Sequence, residues 1–578
     1  MLAAALSLGI LLGWQILFPP PEPPRREPPA EASATPAEAS ATRVAETPTA
    51  TPEADAPPPP GAEIESLPAV EAVEEQHFVL ETDAARAEFS NRGGVLVSYV
   101  VKGQAGAEGG ELELVAPRGT SPYPFTLVDE SLAPLATETA LLAVESEDDP
   151  AGRALRFSYR GPRGDVEKWF RLRDDGRLDV ETRAPAGTGL LLGPGLRART
   201  REEYDNRFER RTGVYLASGE VETVDPVKTK DPLILPGPGL SWVALEDTYF
   251  LAAAVPTRPI ERALFEPVML DATDEALAFD ARPVPAGGEI AEADKKLARS
   301  LRVYLFARDG ALELTTVWGP KQYDRLASLP YGLEKTVAWG FLGFLALPML
   351  AALQWIHGHI VANYGWAIVL LTTALKIVLL PLSIAGFKSM RKMQKLAPRM
   401  QAIRERYRPK MRGKDGKPNL DMQRQMNEEV MKLYKEEGVN PAGGCLPLLV
   451  QLPIFLAFYH MLAKAVELKW AGWALWIHDL AAPDPYFVLP IVMGVSQLLQ
   501  QRMSPPPPDP VQRRMMQFLP IVFTAFSLGF PSGLVLYWMT NNILTIGQQM
   551  IYNSMRDKAE AEEAAALAPV KGKRGKKG

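Results

Sequence analysis

From residue 363 onward the chain carries five apolar runs of helical length, at 365–382, 445–463, 486–500, 516–530 and 533–551, with a strongly basic segment between the first two. At ~1.5 Å of rise per residue, such runs reach most or all of the way across a ~30 Å hydrocarbon core. A chain with this pattern is expected to form a polytopic helical membrane core. Charge then fixes its orientation. Segment 383–443 holds 15 Lys/Arg against 7 Asp/Glu, a local +8 in a chain of net charge −6, so the remainder carries −14. Basic loops stay in the cytoplasm. Arg513, Arg514 and the basic tail fall on that same side, whereas loop 467–485 faces outward.

The preceding 362 residues are of other kinds. Residues 2–18 form an uncharged apolar run followed at once by three prolines, with no small-residue cleavage site and no lipidation cysteine, so an uncleaved anchor over 1–18 is expected. Residues 19–75 are rich in Pro, Ala, Glu and Thr and read as a disordered linker. Residues 76–325 contain short alternating runs such as Gly94–Val101 and Leu301–Phe306, bounded by turn residues. This predicts an all-β sandwich. Region 326–362 includes an apolar stretch broken by Pro348. It can span the bilayer or lie in its interface as an amphipathic helix. The interfacial reading keeps the N-terminus cytoplasmic and the β domain outside. A core over 363–556 with a helical hairpin at 383–443, and a basic cytoplasmic tail over 557–578, complete the expected organisation.

Several chemistries are excluded early. One cysteine, Cys445, allows neither an intramolecular disulfide nor a cysteine-based metal site. The five histidines form no metal motif, and HExxH, GxxxxGK[ST] and GxSxG are absent. No metal, cofactor or covalent catalysis is expected.

What remains is polar chemistry inside apolar helices. Lys376 lies within the first run, where a charge costs ~3 kcal/mol unless it meets water or a partner. Its stem can also snorkel to the interface. Thr372 precedes it by one turn; Tyr537, Asn541, Thr545 and Gln548 share a helix face; Gln451, Tyr459, Ser496, Gln497 and Gln500 add polar groups on other runs. Singly, each suits an interhelical hydrogen bond of ~0.6 kcal/mol. Together they suggest a water-accessible cavity facing the cytoplasm. The runs at 486–500 and 516–530 are short and would thin the bilayer beside it. In the basic segment, Met393, Leu396, Met400, Ile403 and Tyr407, then Met422, Met426, Val430 and Leu433, mark two amphipathic helices paired as a hairpin, the first kinked at Pro398.

At these residues the sequence resembles the YidC family of bacterial membrane protein insertases. The matching stretches are Asn363-Tyr-Gly-Trp-Ala-Ile, Pro381-Leu382, Ser389-Met390, Leu396-Ala-Pro398, Leu433-Tyr434, the run Asn440 to Phe455, and Phe530-Pro-Ser-Gly-Leu-Val-Leu-Tyr537. In the β domain they are Ser241-Trp242-Val243-Ala244, Tyr249-Phe250 and Trp318-Gly319-Pro320-Lys321. The resemblance implies a periplasmic β-supersandwich and a five-helix core whose hydrophilic groove opens to cytoplasm and lipid. Lys376 occupies the position of the groove cation, usually Arg in related bacteria. Thr372 and Tyr537 match further groove positions, and Trp538 stands where some members have Tyr. The function implied is insertion, folding and assembly of inner-membrane proteins, alone or with the Sec translocon. Gln451, Gln497, Asn541 and Thr545 complete the expected groove. Nascent membrane proteins would be the substrates. The ribosome, the signal-recognition machinery and anionic phospholipid would meet the basic cytoplasmic face, including Lys571, Lys573, Arg574, Lys576 and Lys577. A small-molecule transporter or channel, or an envelope enzyme acting on sugars, are the alternatives.

Overall fold

The computed structural model describes residues 71–567, apart from 107–109, 116–121, 150–151, 195–208, 210, 270–298, 412–418, 440–445 and 504–509. The expected anchor, most of the linker, Cys445 and the lysine-rich tail lie outside the described residues.

The first half is β-structure, and every pairing within its sheets is antiparallel. A nine-stranded sheet runs, in spatial order, Glu220–Val224, Thr212–Ala217, Leu240–Glu246, Phe250–Pro256, Ala311–Pro320, Leu178–Arg183, Gly164–Leu172, Gly152–Gly161 and Ala143–Asp149. Sheets of five and four strands accompany it. Alternation does what it should: in Gly164–Leu172, Val166, Lys168, Phe170 and Leu172 point inward. Phe170 stacks on Phe89 at 4.5 Å, and Tyr99 stacks on Trp318 at 5.7 Å. Register also carries Lys168 into the interior. Its Nζ donates to Glu138 Oε1 (2.9 Å) and to the carbonyls of Gly93 (2.5 Å) and Phe125 (2.8 Å). Burial raises the Glu138 carboxyl above the usual range and lowers the Lys168 ammonium.

Nine α-helices follow among the described residues: α1 Tyr323–Ser328, α2 Gly343–His359, α3 Tyr364–Val378, α4 Leu380–Tyr407, α5 Leu420–Glu436, α6 Leu446–Lys464, α7 Val488–Met503, α8 Pro510–Ser527 and α9 Ser532–Leu567. The first apolar run ends earlier than its composition suggests. Pro381 has no N–H to continue the ladder of α3 and instead sits in the first turn of α4. The chain bends there by 61°. By length and composition, no single described helix is long and apolar enough to cross a membrane, while α3 with the following helix passes as a bent pair. α8 begins six residues before the predicted run. α2 has no polar face of the kind an amphipathic interfacial helix carries. It buries Ala346, Met349, Leu350, Leu353 and Ile356, while Phe344 and Trp355 on its other side are exposed.

Two features join the halves. One apolar core includes Trp242, Ala244, Leu251 and Val317 of the nine-stranded sheet together with residues of α1, α2, α3, α6 and α9. The segment between α6 and α7 reaches back the other way, placing Val466 and Ala481 in the β-domain core. There Lys469 is wholly buried, 2.6 Å from Glu209 and 3.4 Å from Asp479, beside the rings of Tyr249 and Trp470. The motif residues Trp242, Tyr249, Phe250 and Trp318 are thus core residues. α4 runs through Pro398 as one helix, and Leu396 and Met400 pack with Tyr434 and Val439 at the expected hairpin interface.

Candidate functional site

Lys376 lies in the last turn of α3, 9% exposed. The helix is positioned by its own start. Asn363 Oδ1 accepts the Trp366 N–H at 3.1 Å, and its Nδ2 donates to the carbonyls of Gly472 (3.2 Å) and Trp473 (3.0 Å). Gly365 then packs so closely on Trp473 that a Cβ would sit 2.2 Å from the indole. This local chemistry is why Asn-Tyr-Gly-Trp occurs at this point.

Facing α3 is α9, whose start is pinned by the Phe530-Pro-Ser-Gly motif. Ser532 donates both its N–H and its hydroxyl to the Ala482 carbonyl, each at 2.8 Å, and Gly533 N–H donates to Leu480 O at 2.9 Å. Residues 537, 541, 545 and 548 then follow at helical spacing. Lys376 Nζ donates to Thr545 Oγ1 at 2.9 Å, and Thr545 donates to the carbonyl of Asn541 at 2.6 Å. No carboxylate lies within ion-pair distance of Lys376 among the described residues. Thr372 is buried one turn earlier, and its hydroxyl is held by the Ile368 carbonyl at 2.7 Å.

The other predicted residues lie along the same helix or, for Gln451 and Gln497, on α6 and α7. Tyr537, eight residues and so roughly 12 Å before Thr545, accepts from Gln451 Nε2 at 3.1 Å and stacks on Phe458 at 4.1 Å. Trp538 turns away from the polar stripe and packs on Phe455 (4.6 Å) and Phe523 (3.8 Å). On the α7 side, Asn542 Nδ2 donates to Ser496 Oγ at 3.2 Å, and Gln549 Nε2 donates to the Met503 carbonyl at 2.8 Å. Asn542 and Gln549 lie off the stripe through Tyr537 because, seven residues apart, they share a second polar face of α9, and the buried Thr540 lies on the side opposite that face. The side-chain oxygens of Gln497 and Gln548 are buried without a hydrogen-bond partner among the described residues. The Lys571–Lys577 cluster falls outside those residues.

Around this polar interior the outer faces are apolar. Leu370, Ile377 and Val378 on α3, Ile491, Val495 and Leu499 on α7, and Phe518, Ile521, Val522 and Phe526 on α8 are all exposed. Exposed apolar surface on this scale marks an interaction with something other than water.

Comparison with known proteins accounts for both halves. Residues 77–352 match the family model described as the YidC periplasmic domain, and residues 355–560 match that of the 60Kd inner membrane protein. The membrane protein insertase YidC of Maridesulfovibrio salexigens is 32% identical over 95% of this chain and 97% of its own length. That of Aromatoleum aromaticum is 39% identical over 56% of this chain, a match spanning 53% of its own length. A crystal structure of an active YidC insertase with its first transmembrane domain resolved matches 83% of this chain and 93% of that one, at 19% identity and a TM-score of 0.33. Neither the transporter nor the sugar-acting alternative is favoured by these relatives. The chain belongs to the YidC family of membrane protein insertases.

Proposed function

We propose that the polar stripe of α3 and α9 is a hydrophilic groove through which the chain inserts proteins into the inner membrane. The observation that carries this reading is Lys376: a buried cation bonded to a hydroxyl, with no carboxylate beside it among the described residues. An ion held this way attracts an acidic or polar segment more strongly than it would in bulk water. Gln497 and Gln548 offer further unsatisfied amide oxygens, each a favourable stop for a passing N–H. The apolar outer faces of α3, α7 and α8 then receive the client's hydrophobic segment. No bond is made or broken in the client.

In this reading α3 with the start of α4, and α6, α7, α8 and α9, cross the bilayer. The β domain is periplasmic, and the hairpin and both termini are cytoplasmic. Shorter helices and the α3–α4 bend thin the membrane beside the groove. Nascent membrane proteins are the substrates. The Sec translocon is a partner in the membrane, and the ribosome, the signal-recognition machinery and anionic lipid meet the basic face. The direct test is reconstitution of the pure chain into liposomes with a short single-span client. Protease-protected client in these vesicles, absent from empty ones, is expected. Equal protection in empty vesicles would refute the reading.

A further inference from the structure

Where the β domain meets the helices there is a cavity of about 720 Å³. Sites for small ligands run from roughly 300 to 1,000 Å³. Its walls differ in charge. The sheet-edge wall contributes Glu222 and Asp225, with Lys228 3.8 Å from Asp225 on the same wall, and the helical wall contributes His460 and Lys464 at the end of α6. Lys321, at the junction, is already paired with Glu246 at 2.8 Å. Lys464 is in a different state: its Nζ donates to the Ala338 carbonyl, and no carboxylate pairs with it among the described residues. Just past Ala338, Phe341 and Phe344 stand 73% and 70% exposed at the start of α2. A cation, two carboxylates and exposed aromatic rings therefore meet at one junction.

We propose that this cavity seats the headgroup of an ethanolamine phospholipid. The phosphate would lie on Lys464, the ammonium on Glu222 and Asp225, and the acyl chains along Phe341 and Phe344. A purely anionic headgroup would bring its charge toward two carboxylates. A choline headgroup has no N–H to donate to them. The mixed walls thus select a zwitterion with donor hydrogens. The proposal rests on the reading that α6 crosses the membrane with the β domain outside.

The test is native mass spectrometry of the full chain in detergent, titrated with phosphatidylethanolamine, phosphatidylcholine and phosphatidylglycerol, and with soluble glycerophosphoethanolamine as competitor. Phosphatidylethanolamine should bind about tenfold more tightly than phosphatidylcholine, as expected for charge-assisted hydrogen bonds. Lys464→Gln should lower that binding about tenfold, and Lys464→Arg should retain it. Glu222→Gln, an exposed substitution that leaves the fold intact, should narrow the preference over phosphatidylcholine. Equal binding of the three lipids, or unchanged binding by Lys464→Gln, would overturn the proposal. Displacement by equimolar glycerophosphoethanolamine would overturn its lipid form, since the chains would then add nothing. Loss of lipid selectivity with client insertion intact in liposomes would overturn this inference alone and leave the insertase reading standing.

Discussion

At the residue scale, the informative side chains are ionisable groups that the fold has buried. Glu467, between α6 and α7, accepts a hydrogen bond from Gln354 Nε2 at 2.8 Å, and burial raises its carboxyl above the usual range. A raised carboxyl means the folded state holds its proton at pH values where the unfolded chain has lost it. Stability from this group is therefore full below the unfolded value and falls as pH rises through the folded one. Glu467→Gln keeps an acceptor for Gln354 and removes that fall. We expect the variant to match wild type in thermal melts at pH 5 and to melt higher at pH 8. A lower melting temperature at pH 8 would show that Glu467 is stabilised as an anion. Lys376 was legible in the sequence because a charge inside an apolar run is conspicuous by itself. Lys168 and Lys469 were not, since neither the alternation around Lys168 nor the loop that holds Lys469 reveals that a carboxylate waits opposite. The same limit separates Asn541, placed on the Lys376 stripe by spacing, from Asn542, whose bond to Ser496 only the packing of α7 reveals.

At the scale of elements, the helical runs were readable from hydropathy, and their ends were not. The break after Val378 follows from the missing N–H of Pro381, and α8 starts early because helix propensity continues beyond its apolar stretch. Close helix contacts depend on small residues. Gly494 of α7 packs against α8 so tightly that a Cβ would lie 2.1 Å from Thr524 Oγ1. Gly494→Leu should force the two helices apart and cost about 1–3 kcal/mol. A melt in detergent checks this, and an unchanged melting temperature would mean that α7 and α8 are free to separate. The hairpin is anchored more loosely. Its base meets the end of α9 through Arg391 at 3.2 Å from Glu560, with Phe387 5.6 Å from Tyr552, and the exposed ion pair is screened by salt.

At the scale of the whole molecule, composition separated a β-rich half from a helical half. It gave no hint that they share a core. Because Trp242, Ala244 and Leu251 pack in one core with residues of α1 and α2, deleting about 80–300 removes the strands that carry them. The deletion should lower the melting temperature and the yield, while insertion per folded molecule persists, because Lys376, Thr545 and Gln451 all lie beyond residue 363. A stable, abundant deletion with no insertion would make the β domain part of the mechanism. The C-terminal end carries a separate expectation. Five Lys/Arg fall within residues 571–577, and RNA phosphate is the densest anion near a nascent chain. Neutralising Lys571, Lys573, Arg574, Lys576 and Lys577 should lower ribosome co-sedimentation at low salt without altering topology. Unchanged co-sedimentation in detergent would leave the tail as a solvated end.

The central claim is that Lys376 captures clients by charge, and charge reversal tests it most directly. Liposomes carrying wild type, Lys376→Arg or Lys376→Glu at equal protein levels would be given single-span clients with acidic or basic translocated tails. Capture by charge predicts that Lys376→Arg inserts both clients as wild type does. Lys376→Glu should fail with the acidic tail and retain or improve insertion of the basic one. Wild-type insertion of the acidic-tailed client by Lys376→Glu would contradict the account.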